Sequence, residues 1–368
     1  MTFAFSLGFE PKAVLHKLSE LRNTDGWTEY IYPAMKLNLL TIAVLLTPLC
    51  LSLSAQAENP EHLKEFLETQ ECIECDLSGA NLSGAELRGA NLAGSNLAGA
   101  NFSNADLTKA YLVNANLQGA NLHSTRLVDV NMARVNLNDA DLSEANLKGS
   151  NLERATLENA NLRKANLDAR RTSRTLLSSA NFKNADLSNA SLRGAWLMAA
   201  NLEGANLTEA NLSSDIYKEA NMVYTHHTNL IGANLVNANL TGASLVHAFL
   251  VDANLVNVSL TGANLSHAFL VNAKLINANL SNTDLEKANL ENANLTGANL
   301  SNANLLKAFL VNTNLSEANL NSARLVDINM SGANLNGADL SDAELRKSNL
   351  CGVTMPDGST SNTGCEAS

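Results

Sequence analysis

Aromatic and basic residues are scarce in this chain of 368 residues. Only 4% of the residues are aromatic and 17% are charged, and 25 Lys plus Arg stand against 36 Asp plus Glu, for a formal net charge of -11. This balance argues against a nucleic-acid-binding protein, because such proteins neutralise phosphates with clustered Lys and Arg. The apolar 45% is mostly leucine and alanine, which is unlike an average globular domain.

Motifs that carry catalysis are missing as well. The sequence has no nucleophile elbow, no phosphate-cradling glycine loop and no His-x-x-x-His pattern. Carboxylate pairs such as Asp139 and Asp141 recur with the repeat of the chain, so they are weak evidence for acid–base catalysis. The adjacent His226 and His227 are more typical of a solvated loop than of a metal site. We therefore expect no enzyme, and no catalytic, cofactor-binding or metal-binding residue.

The N-terminal part of the chain has the features of a secretory signal peptide. Lys36 precedes an apolar run over 37–53, and a small-x-small cleavage site follows at 55–57. We expect a signal peptide over 35–57, with residues 1–34 upstream of the true start. A retained anchor is the alternative, because a membrane span needs about 17 to 25 apolar residues. Cleavage would leave no stable membrane insertion.

A five-residue repeat, Ala-(Asn/Asp)-Leu-x-x, fills most of the chain. Its central Leu, Phe or Met recurs over 77–222 in 30 units, with Thr172 and Tyr217 as exceptions, and in a second register over 230–350 in 25 units. Five is neither the helical nor the strand period, so the chain must turn once per unit. Alanine and leucine, two residues apart, then face inward, and the Asn or Asp between them faces outward.

The length of one coil follows from a longer motif. His-Ala-Phe-Leu-Val begins at His247 and again at His267, which indicates a coil of twenty residues, or four units. The units then form about 14 stacked coils and a rod about 66 Å long. The pattern is disturbed over 168–176, where Arg170 replaces an inward Ala and Thr172 an inward Leu. We expect a bulge or short loop there.

A second disturbance shifts the phase of the repeat. Central positions are eight residues apart between Met222 and Leu230, which indicates an insertion of three or a deletion of two. Residues 103–152 match 301–350 at 33 of 50 positions, with an offset of 198 that is two short of ten coils. This comparison favours a deletion and the duplication of half the rod. We expect a seam at 223–229, either a kink or an extruded loop.

The ends of a stacked coil need capping, because backbone groups and core leucines would otherwise meet water. Within residues 58–76, Asn59 precedes Pro60 and Glu61, the favoured order at a helix start. Apolar residues on one face of the following segment predict a capping helix over 59–70. Residues 351–368 are the corresponding C-terminal cap and tail.

Four cysteines remain after export, and they lie as two pairs at the two ends of the repeat: Cys72 with Cys75, and Cys351 with Cys365. An even count in an exported protein indicates disulfides. One shared zinc is excluded, because the pairs lie at opposite ends of a rod. A bridge between Cys351 and Cys365 would contribute about 3 kcal/mol. The Cys-x-x-Cys pair is alternatively a redox motif, although a helix usually follows the first cysteine there.

An outward apolar patch is the best functional clue. Phe249 and Phe269 occupy positions normally held by Asn or Asp, and Val251 and Val271 lie beside them. A neighbouring apolar ladder is formed by Val236, Val256 and Ile276. Contiguous exposed apolar surface often marks a contact site, so we expect a protein partner of unknown identity. The alternative is that the tail over 351–368 covers the patch.

The repeat over 75–350 resembles the pentapeptide-repeat family, and that resemblance implies an all-β, right-handed quadrilateral β-helix. The first coil, from Cys72 to Leu82, and the Met-Pro-Asp-Gly tail at Met355 resemble exported cyanobacterial members. That likeness implies the periplasm or the thylakoid lumen. We expect a non-enzymatic exported structural or protein-interaction scaffold.

The family resemblance also implies an alternative, a DNA mimic that binds topoisomerases. DNA of the same 66 Å length carries about 39 negative charges. Residues 77–350 hold 20 Lys plus Arg and 23 Asp plus Glu, a net charge of only -3. Charge therefore argues against mimicry. A further alternative is a ligand-binding or enzymatic role at the irregularities over 168–176 or 222–230.

Overall fold

Stacked coils form the body of the protein. The computed structural model describes residues 59–219 and 222–365. Along most of this chain, residues twenty apart pair through parallel bridges, and each pentapeptide contributes one bridging residue. The expected twenty-residue coil is therefore confirmed. The expected signal peptide at 35–57 and the upstream residues 1–34 lie outside the described residues.

Four ladders of bridging residues run the length of the rod and give it four faces. The ladders are face 1 from Glu71 to Asn349, face 2 from Asp76 to Thr354, face 3 from Asn81 to Asp339 and face 4 from Glu86 to Arg324. Face 1 has fourteen ladder positions. The chain passes through the faces in the order 1, 2, 3, 4, and then turns into face 1 of the next coil. We call that last turn the 4–1 corner.

The core consists of the central leucines and the preceding alanines, which are buried through the rod. Each coil donates to the next through its backbone, as from the Leu230 N–H to the Phe249 carbonyl at 2.7 Å. In the regular units the second residue after the central position adopts a left-handed conformation, as at Asn104 with φ 60°. Asn and Gly tolerate this conformation best, which explains why they recur there.

One helix precedes the first coil. Helix α1 spans Pro60–Thr69, and the Asn59 Oδ1 accepts hydrogen bonds from the N–H groups of Glu61 and His62 at 3.1 and 3.3 Å. Phe66 is fully buried and belongs to the same hydrophobic core as the leucines of the coils. The helix expected over 59–70 is thus present. Among the described residues, no helix is long and apolar enough to cross a membrane.

Besides the single bridges, the described chain has six short strands. They are β1 (Asp215–Glu219), β2 (Met222–His226), β3 (Arg324–Val326), β4 (Glu344–Arg346), β5 (Val353–Thr354) and β6 (Thr360–Ser361). Strands β1 and β2 pair as an antiparallel hairpin, as do β5 and β6, whereas β3 and β4 pair in parallel.

Both cysteine pairs lie at disulfide distance. The S–S distance is 2.04 Å for Cys72 and Cys75, and 2.09 Å for Cys351 and Cys365. The C-terminal bridge fixes a tail that hydrogen-bonds to the last coils, for example from the Gly337 N–H to the Pro356 carbonyl at 3.0 Å. The tail over 351–365 therefore does not cover the patch around Phe249 and Phe269.

The first disturbance of the repeat is a short loop. The bridge from Asn151 reaches Leu176, twenty-five residues on, so one coil carries five extra residues. The expected bulge or loop is present, and Thr172 lies in it rather than at a core position. We call residues 170–174 the arginine loop.

The second disturbance is an insertion, so the expected deletion of two residues is wrong. The bridge from Trp196 reaches Asn229, thirty-three residues on, so this coil carries thirteen extra residues. They form the hairpin β1–β2, whose two strands hydrogen-bond to each other and lie outside the regular coil. The regular first register ends at Leu212, and Tyr217 and Met222 are hairpin residues. Thirteen is two units plus three, so the sequence shows only a phase shift.

Candidate functional site: an aromatic face

Asparagine at a ladder position holds the coil together in two directions. The Asn116 Oδ1 accepts from the N–H of Gln118, two residues on, at 3.3 Å. Its Nδ2 donates to the Asn96 Oδ1 of the previous coil at 3.2 Å, and the Asn136 Nδ2 donates to Asn116 at 2.9 Å. Such side-chain bonds stabilise turns. An apolar residue at a ladder position gives them up.

Apolar ladder residues occur on one face of the rod. Every described ladder residue of faces 2, 3 and 4 is polar or charged. The apolar ones all lie on face 1, and they are Tyr111, Leu176, Trp196, Phe249, Phe269 and Phe309. We call this surface the aromatic face.

Several rings of the aromatic face are open to solvent. Tyr111, Phe269 and Phe309 are 43%, 40% and 52% exposed. Phe249 is half-buried, and its ring lies edge-on to Phe269 with centroids 5.2 Å apart. Aromatic pairs of this geometry attract each other modestly, but they leave much apolar area in water.

A second apolar column runs along one edge of the aromatic face, two residues after the ladder positions. It consists of Val113, Met198, Ile231, Val251, Val271 and Val311. The patch expected from sequence, Phe249 and Phe269 with Val251 and Val271, thus lies inside a longer apolar strip. The expected neighbouring ladder of Val236, Val256 and Ile276 follows face 2, and its members are half-buried.

The opposite edge of the aromatic face is the 4–1 corner, which carries histidines and lysines. The rings of His247 and His267 lie 4.6 Å apart. Burial lowers the pKa of His247 from its ordinary value of 6.5, and the neighbouring His267 and His227 lower it further. Next along the edge, Lys287 and Lys307 border a groove of about 590 Å³.

Both disturbances of the repeat leave the rod at this same corner, and a threonine closes each one. The Thr175 Oγ1 accepts from the Gly149 N–H, and the Thr228 Oγ1 accepts from the Gly194 N–H, each at 2.9 Å. Each hydroxyl also donates to a carbonyl where its disturbance begins, at 2.9 and 3.0 Å respectively. The loop and the hairpin are therefore held in the same way.

An ionic chain joins Asp168, two residues before the arginine loop, to the hairpin. Asp168 is 2% exposed and accepts from the Arg193 Nη2 at 2.6 Å and Nε at 3.2 Å. The Arg193 Nη1 lies 3.7 Å from the Asp215 carboxylate at the start of β1. Nearby, the Arg174 guanidinium lies 5.0 Å from the centre of the Trp196 ring. The corner is thus braced against the aromatic face at Trp196.

The charged groups at and beside the arginine loop form ion pairs that hold the loop to the coils. Arg170 pairs with Asp129, and Asp168 pairs with Arg193. In the ranges that the structure describes, no group of three His, Cys, Asp or Glu side chains could hold a metal ion.

Comparison with known proteins identifies the family. The family model for pentapeptide repeats matches in eight copies, over 75–114, 100–139, 136–168, 175–213, 226–255, 253–292, 293–332 and 326–355. This chain belongs to the pentapeptide-repeat family. A search among curated proteins finds no significant match.

Solved structures give the same assignment. HetL of the cyanobacterium Nostoc sp., a pentapeptide repeat protein involved in heterocyst differentiation regulation, is 31% identical over 72% of this chain and 91% of its own, with a TM-score of 0.31. A pentapeptide repeat protein of the Arabidopsis thaliana thylakoid lumen is 28% identical over 27% and 70%, with a TM-score of 0.26.

A third solved structure is that of QnrB1, a plasmid-mediated fluoroquinolone resistance protein. It is 18% identical over 55% of this chain and 87% of its own, with a TM-score of 0.32.

Proposed function

We propose that this protein is a non-enzymatic exported scaffold that docks a protein partner on its aromatic face. One observation carries the proposal: all six apolar ladder residues of the described chain lie on one of four faces. The fold treats the four faces alike, since each is built from the same unit. A requirement of the fold would place aromatic residues on every face, so their restriction to one face indicates a contact.

The energetics favour the same reading. An asparagine in a ladder contributes hydrogen bonds worth about 0.5 to 1.5 kcal/mol each. Phe269 and Phe309 forgo these bonds and leave about half of each ring exposed. In the isolated rod, the replacement of a ladder asparagine by a half-exposed phenylalanine therefore adds little to the free energy of unfolding. Against a partner the same rings are desolvated, and aromatic residues are the usual energetic centres of interfaces.

Further features of the proposed scaffold concern its ends and its compartment. We propose a right-handed coil, capped by α1 at the first coil and by the bridged tail at the last. Fully buried Phe66 and the cysteine pairs support this arrangement. Disulfides persist in oxidising compartments, which supports export to the periplasm or the thylakoid lumen. The ladders of faces 2 to 4 are mostly neutral asparagine, so a DNA mimic is not favoured.

The proposal is tested by cross-linking affinity capture of the tagged protein from its own compartment. A Phe249→Ser/Phe269→Ser variant is compared with Asn254→Ser/Lys274→Ser, which changes the face 2 ladder one unit further along the same coils. We expect a partner that wild type and the face 2 variant capture and the phenylalanine variant loses. Equal capture by all three proteins would refute the docking role of the aromatic face.

A further inference from the structure

We infer that the aromatic face binds a second copy of this chain, antiparallel and face to face. The inference rests on the proposed docking role of this face. It starts from the order of six successive ladder residues, which are Trp196, Asn229, Phe249, Phe269, Asn289 and Phe309. Aromatic, amide, aromatic, aromatic, amide, aromatic is the same sequence of side-chain types in both directions along the rod.

A two-fold axis turns this palindrome into contacts. The axis lies in the plane of the face, runs perpendicular to the rod and passes between Phe249 and Phe269. It reverses the second copy, so that each ladder residue meets its counterpart from the other end. Phe249 meets Phe269 of the second copy, and Trp196 meets Phe309. Rings then pack on rings, and the amides between them face each other.

The apolar column at the edge of the face follows the same symmetry in two of its three pairs. Over the same six coils it holds Met198, Ile231, Val251, Val271, Glu291 and Val311. The axis places Met198 over Val311 and Val251 over Val271. Glu291 opposite Ile231 is a mismatch, since burying an unpaired carboxylate is unfavourable. That mismatch offers a direct test of the register.

A parallel pair would match each ladder residue with itself, but it crosses the two edges of the face. The valine column of one copy would then meet His247, His267 and Lys307 of the other. Desolvating a lysine against valine is costly. The antiparallel pair keeps apolar edge on apolar edge, so the edges favour it.

Opposite charges also meet in the antiparallel register. The counterpart of Asn329 is Leu176. The 4–1 corner before Asn329 carries Asp327, and the corner before Leu176 carries the arginine loop. The Asp327 carboxylate lies as far as 3.9 Å from the Lys307 Nζ, and the Asp327 side chain is 54% exposed. It can therefore turn to an arginine of the second copy.

The hairpin and the groove complete the fit. The groove beside Asn289, between Phe269 and Phe309, lies at the coil whose counterpart is Asn229. Asn229 is the first ladder residue after the hairpin β1–β2. The hairpin exposes Ile216 and Val223 by 53% and 63%. In this register the hairpin of each copy lies at the coil that holds the other copy's groove, on both sides of the axis.

The overlap in this register covers ten coils, or about 48 Å. Standard interfaces bury about 800 Å² per partner, and a strip of this length approaches that area with its hairpins. We expect a dissociation constant in the micromolar range. Phe249 and Phe269 flank the axis and occur twice in the interface, so they should dominate it.

Sedimentation of the purified protein tests the dimer. The wild-type dimer is expected to have a dissociation constant below about 200 µM. Replacement of both central rings by the template residue, Phe249→Asn/Phe269→Asn, should weaken the dimer at least about 30-fold. Asn254→Ser/Lys274→Ser on face 2 should leave it unchanged. A monomeric wild type at about 200 µM, or equal dimerisation of the phenylalanine variant, would overturn the inference.

Two variants test the register. Glu291→Leu removes the mismatch and should tighten the dimer, whereas unchanged affinity would contradict the register. In a mixture of Met198→Cys and Val311→Cys proteins, a short bismaleimide should link the two chains, and neither variant alone should link to itself. Absence of the mixed product overturns the antiparallel arrangement.

The test separates this inference from the proposed function. Purified protein contains no other partner. A monomer in that sample therefore refutes the dimer and leaves the docking of another protein untouched. The docking role would still be decided by capture from the compartment.

Discussion

The aromatic face with its 4–1 corner differs from the other three faces although all are built from the same pentapeptide. On face 2, Asn96, Asn116 and Asn136 bond along the rod through their amides. On face 1, Phe249 and Phe269 stand at equivalent positions without such bonds, and the backbone around them keeps its regular hydrogen bonds, as from Leu250 to Phe269 at 2.7 Å. The coil therefore tolerates the rings but does not need them.

The corners show the same division. The arginine loop and the hairpin both interrupt the 4–1 corner, which borders the aromatic face. Insertions at a corner lengthen one coil and leave the stacking of its neighbours intact, so the fold permits them at any corner. Their occurrence at one corner, beside the exposed rings, extends the distinct surface of face 1.

Removing the arginine between the loop and the hairpin should have the largest effect. Arg193→Met leaves the Asp168 carboxylate, 2% exposed, without its main charge partner. We expect a loss of about 3 kcal/mol in the free energy of unfolding by urea. The control is Arg163→Met, because the Arg163 side chain is 58% exposed and its Nε lies 4.0 Å from the Asp186 carboxylate. It should cost less than about 1 kcal/mol. Equal losses would mean that the corner is not braced by this pair.

A glycine at the 4–1 corner should be less replaceable than a glycine elsewhere. A Cβ at Gly194 would lie 2.9 Å from the backbone oxygen of His226 and 3.0 Å from Ala169, whereas one at Gly232 meets nothing within 4 Å. Both glycines have nearly the same positive φ, 66° and 64°. Gly232→Ala should therefore cost about 1 kcal/mol, and Gly194→Ala about 1 kcal/mol more. Thermal unfolding of the two variants measures the difference, and identical values would refute the close packing of the hairpin.

The threonine that closes the hairpin should matter more than a threonine in an ordinary coil. Thr228→Val removes the acceptor of the Gly194 N–H and a donor to the Ser213 carbonyl. Thr283→Val removes only a donor to the Leu260 carbonyl. We expect losses of about 2 kcal/mol and about 1 kcal/mol, respectively. Faster proteolysis within 213–228 in Thr228→Val alone would locate the effect, and cleavage at equal rates would contradict it.

Acidification should have the smallest effect. The pKa of His247 lies below its ordinary value of 6.5, so the unfolded chain binds a proton more readily than the folded one. Stability from this group is present above about pH 6.5 and is lost as the pH falls towards the lowered pKa. His227, His267, Glu286 and Lys287 are the charged or titratable groups nearby. The drop in melting temperature between pH 7.5 and 5.5 should shrink in His247→Asn, and an unchanged drop would exclude this histidine as its source.

The sequence predicts the coil because the repeat is strict. Five-residue spacing forces one turn per unit, and the His247 and His267 motif, in an uninterrupted stretch, shows the twenty-residue coil directly. The same stretch reveals Phe249 and Phe269 as neighbours. The rest of the aromatic face is harder to find. Tyr111 and Trp196 are 85 residues apart, and Trp196 and Phe309 are 113 apart. Neither is a multiple of twenty until insertions of five and thirteen are subtracted.

The lengths of those insertions cannot be read from the phase of the repeat. A phase shift reports an insertion only modulo five, so a hairpin of thirteen residues and a deletion of two look alike. The closing threonines are no clearer signal. Thr175 and Thr228 replace an inward alanine, but so do Thr283 and Thr313 in uninterrupted coils. Only the paired bridges show which coils are long, and hence that the exposed ladder rings of the described residues share one face.

The central claim is that the aromatic face serves contact rather than folding, and one variant tests it most directly. Phe249→Asn/Phe269→Asn restores the template residues, and its free energy of unfolding and its capture of partners are measured beside wild type. We expect stability equal to wild type or higher by up to about 1 kcal/mol per site, because ladder hydrogen bonds return, together with lost association. A less stable variant with undiminished association would show that the rings belong to the fold and would contradict the account.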